Sequence, residues 1–167
     1  MYEALETERL KLRKFVEADL DDYARMCADP QMMRYIGTGT LLSRADAWRS
    51  LAMLLGHWQL RGYGMWAVEE KATGAFIGRL GLHYPEGWPG IEVGWFLDRA
   101  RWGQGLATEG ARAAIAFGFE RLGLERICSV IHPQNAASIR VAEKLEMTAE
   151  RPAQILGVDV VIYSRPR

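Results

Sequence analysis

Apolar and polar positions along the chain switch between a period of two and a helical period. Residues 7–14 alternate, with Leu10 and Leu12 on one face, and predict a first strand. Residues 17–28 carry helical spacing that stops at Asp29-Pro30. Residues 31–42 show no regular period, and Gly37 and Gly39 mark a flexible turn there. Ser43 suits the N-cap of a helix over 44–60 that Gly62 closes. Strands follow at 65–70 and 75–83, joined by a turn at 72–74. The turn at 85–90 feeds a strand in which Ile91, Val93, Trp95 and Leu97 share a face. A long helix starts at Leu106, with small and apolar residues at Ala107, Ala111, Ala114, Ile115, Gly118 and Leu122. A strand at 126–131, a helix at 135–145 and strands at 147–149 and 155–164 complete the pattern. The order β-α-α-β-β-β-α-β-α-β-β predicts one α/β (α+β) domain over residues 1–167, a mixed sheet with helices on its faces.

Composition narrows the function classes. A chain of 167 residues with 49% apolar and 25% charged residues buries one substantial core. Its 21 basic and 21 acidic residues balance, so no global field favours nucleic acid or a membrane surface. Cys27 and Cys128 fit no metal-ligand spacing, and no metal is expected; buried thiols in a reducing compartment are. No apolar run is long enough to span a bilayer, and residues 1–12 carry no secretory core. A cytoplasmic protein is expected.

Candidate chemistry concentrates at residues 91–109, IEVGWFLDRARWGQGLATE. A strand gives way to a basic turn with Arg99 and Arg101, then to the glycines Gly103 and Gly105, then to a helix. Glycines permit a sharp turn and close approach to the backbone. A helix N-terminus offers unpaired N–H groups and partial positive charge. Together they predict a pyrophosphate cradle. It is not a P-loop, because Leu106-Ala107 follows Gly105 where Lys-Ser/Thr is needed. It is not a dinucleotide fingerprint either, because Thr108 stands at the third glycine position.

A second signature, His132-Pro-Gln-Asn135-Ala-Ala-Ser138, lies one strand later. With the Trp102–Glu109 stretch, WGQGLATE, and the opening E-T-E-R-L-K-L-R, it resembles the GNAT superfamily of acyl-CoA-dependent N-acetyltransferases, and within it the RimJ/RimL branch of ribosomal-protein N-terminal acetyltransferases. The resemblance covers nearly the whole chain. It implies a largely antiparallel central sheet of about seven strands with a V-shaped splay, flanked by about four helices. It also implies acetyl transfer from acetyl-CoA to a primary amine, on a protein or peptide N-terminus or a small molecule. By the same likeness a homodimer is plausible.

The resemblance carries roles onto particular positions. The loop of Trp102, Gly103, Gln104, Gly105, Leu106, Ala107 and Thr108 would hold the pyrophosphate, and the backbone of Phe96 and Leu97 the pantetheine arm. Asn135 would hold the arm's other side, and equally suits an N-cap after Pro133. Arg99 and Arg101 are phosphate contacts or solvated loop charges. Glu92 is the expected base, or else a carboxylate paired to a neighbouring strand. Ser138 is expected to assist the leaving thiolate, or to cap its helix. Many members place a tyrosine acid four residues beyond Ser138, where this chain has Ala142. The amine's approach is expected to be lined by Tyr35, His83, Tyr84, the 37–42 loop and the tryptophans Trp48, Trp58 and Trp88, of which Trp48 and Trp58 fit the core or a dimer surface better. His132 is either a cleft residue or a turn histidine. Ala142 in the tyrosine position keeps open a non-catalytic acyl-CoA sensor or interaction module.

Overall fold

The computed structural model describes residues 4–167. Eight strands form one sheet: β1 (Leu5–Glu6), β2 (Leu10–Arg13), β3 (Met65–Glu70), β4 (Phe76–His83), β5 (Glu92–Leu97), β6 (Arg126–Ile131), β7 (Thr148–Ile155) and β8 (Val158–Pro166). Their order across it is β1-β2-β3-β4-β5-β6-β8-β7. Helices α1 (Leu20–Cys27), α2 (Pro30–Met33) and α3 (Arg44–Arg61) precede β3. Helix α4 (Leu106–Glu120) joins β5 to β6, and α5 (Ala136–Lys144) joins β6 to β7.

The expected elements are present, with three local differences. The first strand breaks into β1 and β2, because Thr7 turns the chain: its N–H and hydroxyl both reach the Leu10 carbonyl. The irregular 31–42 stretch is preceded by the short helix α2, which begins at Pro30. Proline suits the first helical position, and the Asp29 carboxylate accepts the Gln31 amide at 2.8 Å, so Asp29-Pro30 ends one helix and starts another. Strand β7 is longer than expected, β8 starts and ends later, and the two form a hairpin through Leu156-Gly157, whose φ angles are 52° and 76°. Pro152 reads as a breaker, but β7 is the sheet's edge, where a missing N–H is tolerated.

Every neighbouring pair is antiparallel except β5 and β6. That parallel pair meets only at Glu92 and Cys128, where the Cys128 N–H donates to the Ile91 carbonyl at 2.9 Å. Beyond that point the strands part, since β6 is fully paired to β8 on its other side. Two cores hold the halves in place. On one face, α4 packs Ala111, Ala114 and Ile115 against Leu10, Trp66, Leu80 and Val93. On the other, α1 and α3 pack Tyr23, Met26, Leu51 and Leu54 against Met65, Ala67 and Phe96.

Close approach of β4 and β5 depends on Gly78, which has φ 140° and whose missing Cβ would lie 2.2 Å from the Phe96 carbonyl oxygen. Gly78→Ala must move that carbonyl out of the ladder or strain its own backbone. We expect a loss of about 3 kcal/mol in unfolding free energy by urea titration.

Candidate functional site

The loop read as a cradle runs from β5 through a tight turn into α4. Asp98 accepts the Ala100 N–H at 2.9 Å and fixes a tight turn over Arg99–Arg101. The Trp102 indole then donates to the Leu97 carbonyl at 2.8 Å, folding the loop back onto the end of β5. Gly103 and Gly105 have φ 75° and 79°, a region that other residues enter only with strain. Gly105 is the N-cap of α4 and has no side chain to cap with, so the first N–H groups of the helix keep no side-chain partner.

A clamp from the N-terminal turn fixes the cradle. The Arg9 guanidinium donates to the Gln104 carbonyl at 2.9 Å and to Glu109 at 2.7 Å. The Arg9 amide and the Thr7 hydroxyl also donate to Glu109. Burial works against the charge of Glu109, but Thr7 and Arg9 outweigh it and hold its pKa below the usual value. The opening T-E-R and the closing A-T-E of the two motifs are thus two halves of one contact.

The cradle opens onto a groove of about 570 Å³ between β5 and α5. Its walls include Trp95, Leu97, Gly103, Gly105, Thr108, Asn135, Ser138 and Tyr35. The two arginines upstream of the glycines are already engaged: Arg101 pairs with Glu70 at 2.9 Å, and Arg99 with Asp29 and Gln31. The groove's cations without an ion pair, among the described residues, include Arg140 and Lys144, one helical turn apart on α5. Phe96 lines the groove, but its backbone carbonyl faces Gly78 of β4. Strand alternation therefore turns the backbone of Trp95 and Leu97, not Phe96, toward the gap. Asn135 does cap α5, accepting the Ser138 N–H at 3.2 Å through Oδ1, and it lines the groove as well.

A second cavity of about 230 Å³ lies where β5 and β6 part, lined by Glu92, Arg79, His83, Trp88, Ser129 and His132, among others. Tyr35, Ile36, Trp95, Asn135 and Ser138 line both spaces, which therefore adjoin. Glu92 is 9% exposed. Its Oε1 accepts the Val130 N–H at 3.1 Å and its Oε2 the Trp88 indole N–H at 2.6 Å. Burial pushes its pKa up to about 7, against the lowering pull of those two donors and of Arg79. On the opposite wall the Trp95 indole donates to the Ser138 hydroxyl at 3.2 Å, leaving that O–H free to donate onward.

Two histidines, His57 and His83, are shifted toward the neutral form by burial. Burial, then the charge of Arg79 and the neighbouring His57, pushes His83 down to about 3. His57 accepts the Tyr84 N–H at Nε2 and contacts the Tyr63 carbonyl through Nδ1, which assigns the proton to Nδ1; burial keeps it below the usual value. His132 accepts the Gln134 N–H and stacks on Tyr35 with ring centroids 4.9 Å apart. Tyr84 is outside both spaces, its ring beneath Arg61 at 5.2 Å. Trp58 is in the core, donating to the Met65 carbonyl, and Trp48 is solvent-exposed. Ala142 is fully buried in the core and carries no group to either space. Among the described residues no group of three or more His, Cys, Asp or Glu side chains is placed to hold a metal, and no helix is long and apolar enough to cross a membrane.

Several residues of the two spaces carried no sequence signal. Trp95 belonged to an apolar strand face. Arg79 stood out only as a charge inside the apolar run Ile77–Leu82, and Arg140 and Lys144 read as an ordinary solvated helix face.

A sheet opened between two parallel strands, with a glycine cradle at the foot of one, defines an acyltransferase of the acetyl-CoA-using GNAT class. The acetyltransferase (GNAT) domain family matches residues 9–148, and the chain belongs to it. It is similar to an acetyltransferase structure from Agrobacterium tumefaciens, at 30% identity and a TM-score of 0.89 over 100% of this chain and 96% of that one. It is 31% identical to the N-acetyltransferase p20 of Bacillus licheniformis, over 89% of this chain and 84% of the relative. The fold also matches RimL, a ribosomal L7/L12 alpha-N-protein acetyltransferase in complex with coenzyme A, at 20% identity and a TM-score of 0.82 over 98% of each chain.

The raised pKa of Glu92 has a stability consequence. An unfolded carboxyl ionises near 4.5 and the folded one near 7, so the native state binds the extra proton between them. The associated stability is complete below pH 4.5 and is lost as pH rises through 7. Urea unfolding from pH 4.5 to 8.5 should cost the wild type about 3 kcal/mol more than Glu92→Gln. The amide's fixed mismatch against Trp88 leaves that difference in slope unchanged.

Proposed function

We propose that this chain transfers an acetyl group from acetyl-CoA directly to a primary amine, with the acceptor a peptide N-terminal α-amine, as in the RimJ/RimL branch, or a small-molecule amine. The observation that carries the reading is the pair of adjoining spaces at the β5–β6 gap, whose lining includes a carboxylate of near-neutral pKa and a serine hydroxyl held by the Trp95 indole.

The residues present fit acetyl-CoA. Side-chain-free Gly103 and Gly105 and the uncapped amides of α4 suit its pyrophosphate. Arg140 and Lys144 supply the full positive charges, and the gap-facing backbone of Trp95 and Leu97 suits the amides of the pantetheine arm. Bound there, it supplies a thioester acyl group to which the amine nitrogen bonds as the C–S bond breaks. Glu92 takes the proton that the amine gives up, directly or through one water, and its pKa near 7 suits that task at neutral pH. Ser138 offers its O–H to the departing thiolate, with Trp95 holding the oxygen in place. No side chain need become covalently attached. The medium of action is the cytoplasm, and the partners are acetyl-CoA and the amine, with no nucleic acid or membrane; a homodimer follows by family likeness.

The alternative is an acyl-CoA-binding sensor or interaction module, favoured by the burial of Ala142 where many relatives carry a tyrosine. Turnover separates the two. Glu92→Gln should lower kcat/KM by about 10²–10⁴-fold and remove the rise in rate centred near pH 7, while acetyl-CoA binding persists. Undiminished turnover in that variant takes Glu92 out of the mechanism.

Cofactor class is checked by thermal unfolding with acetyl-CoA, coenzyme A and NAD. Both CoA species should raise the midpoint, by the equivalent of about 2.7 kcal/mol at a hundredfold excess over Kd, and NAD should not. Gly105→Val should erase the shift, because a branched residue cannot hold the left-handed turn at φ 79° that aims the first amides of α4.

A further inference from the structure

The cavity beside Glu92 contains a cation that the fold leaves unsatisfied. Arg79 projects from the middle of β4, between residues that are almost wholly buried. Its guanidinium lies over the Phe96 ring at 5.4 Å and lines the cavity together with Glu92, His83 and Trp88. Its Nε is buried with no hydrogen-bond partner among the described residues. Other arginines with side chains 20–30% exposed are treated differently: Arg13, Arg101 and Arg165 each meet a carboxylate at 2.7–2.9 Å. Arg79 has no such ion pair among the described residues.

A charge withdrawn from water costs several kcal/mol unless a counter-charge or hydrogen bonds replace the lost solvent. Glu92 does not fill this role, since its two oxygens are taken by Val130 and Trp88. The same cavity holds a second unsatisfied nitrogen, His83 Nδ1, also buried without a partner. The two residues that carry these nitrogens line one space together with the proposed base. A guanidinium edge with Nε free matches the planar fork of a carboxylate. The space is small: about 230 Å³ corresponds to about eight waters at ~30 Å³ each.

We propose that Arg79 binds a carboxylate carried by the amine acceptor, so that the substrate is a small free amino acid rather than a simple amine or the N-terminus of an extended peptide. The proposal rests on the acetyltransferase reading and deepens it. Arg79 anchors one end of the acceptor while the amine at the other end faces Glu92, which fixes the direction of attack. His83, neutral, adds a hydrogen bond without competing for the anion's charge.

The test measures coenzyme A release from acetyl-CoA with the standard α-amino acids, β-alanine and 4-aminobutyrate, each beside its own carboxamide, and with short peptides bearing free N-termini. At least one acid should exceed its carboxamide in kcat/KM by roughly tenfold or more. Arg79→Gln should lower kcat/KM for that acid by a similar factor and erase the preference over the amide. Arg79→Lys, which keeps the charge but loses the fork, should recover part of it. An unchanged midpoint shift with acetyl-CoA shows that each variant is folded. Carboxamides or peptides used as well as acids, or a preference that survives Arg79→Gln, overturns the proposal. So does acetyl-CoA binding with turnover of simple amines alone, which leaves the acetyltransferase reading standing. Absence of any acetyl-CoA shift removes that reading, and this inference with it.

Discussion

The structure turns on what happens to backbone hydrogen bonds where two parallel strands part. Strands β5 and β6 pair at one position, Glu92 with Cys128, and then diverge. Each strand beyond that point exposes N–H and C=O groups that a continuous sheet would have satisfied, and a buried orphan of this kind is costly. The Glu92 carboxylate meets the first of them, the Val130 N–H, and so acts as the last rung of the ladder. That one side chain ends the pairing and stands at the mouth of the gap. Its burial there is also what raises its pKa to about 7, so the architecture and the proposed chemistry share a cause.

Opening a sheet also requires that its two halves be held from elsewhere. On the β5 side, antiparallel pairing to β4 and the approach allowed by Gly78 fix the strand's edge. On the β6 side, the long pairing with β8 carries the load. The cradle at the end of β5 has its own support, because Thr7 and Arg9 hold Glu109 and Gln104 from outside. The inner face of the loop is thereby left to the groove. This arrangement explains why the upstream arginines are not free for phosphate: Arg99 and Arg101 stitch the loop to Asp29, Gln31 and Glu70, and α5 provides the unpaired cations instead.

Much of this was legible in the chain. Local signals set the strand and helix limits well where a cap or glycine marked them, as at Ser43, Gly62 and Gly105. They failed where position in the sheet overrode local preference. Pro152 forbade a strand in isolation yet is accommodated on an edge, and Asp29-Pro30 served as both stop and start. The cradle and Glu92 were visible because their chemistry is encoded in adjacent residues. The lining of the smaller cavity was legible only in part: Tyr35, His83 and Trp88 were expected together, but Arg79 and the β7–β8 hairpin join them only in the fold. Tyr84 illustrates the limit: a one-residue step from His83 along the chain takes it out of the cavity, a distinction that the alternation of a strand loses at its end.

The polar groups in and around the two spaces divide into those the fold satisfies and those it does not, and the division follows function. His57 has both nitrogens engaged, Asn135 caps α5, and His132 locks a turn. His57 is thereby structural, whereas Asn135 keeps its amide N–H groups and His132 its Nε2 for other partners. Glu92 is satisfied only while the Trp88 indole stays in place; that indole sits on a loop between strands and shares an oxygen that an incoming amine would need. Arg79 and His83 have no partner at all for a buried nitrogen. A core that tolerates such costs at one spot concentrates its deficit where a substrate can relieve it. Binding energy recovered there would orient the acceptor before proton transfer, which is when alignment of the amine with the gap has its largest effect on rate.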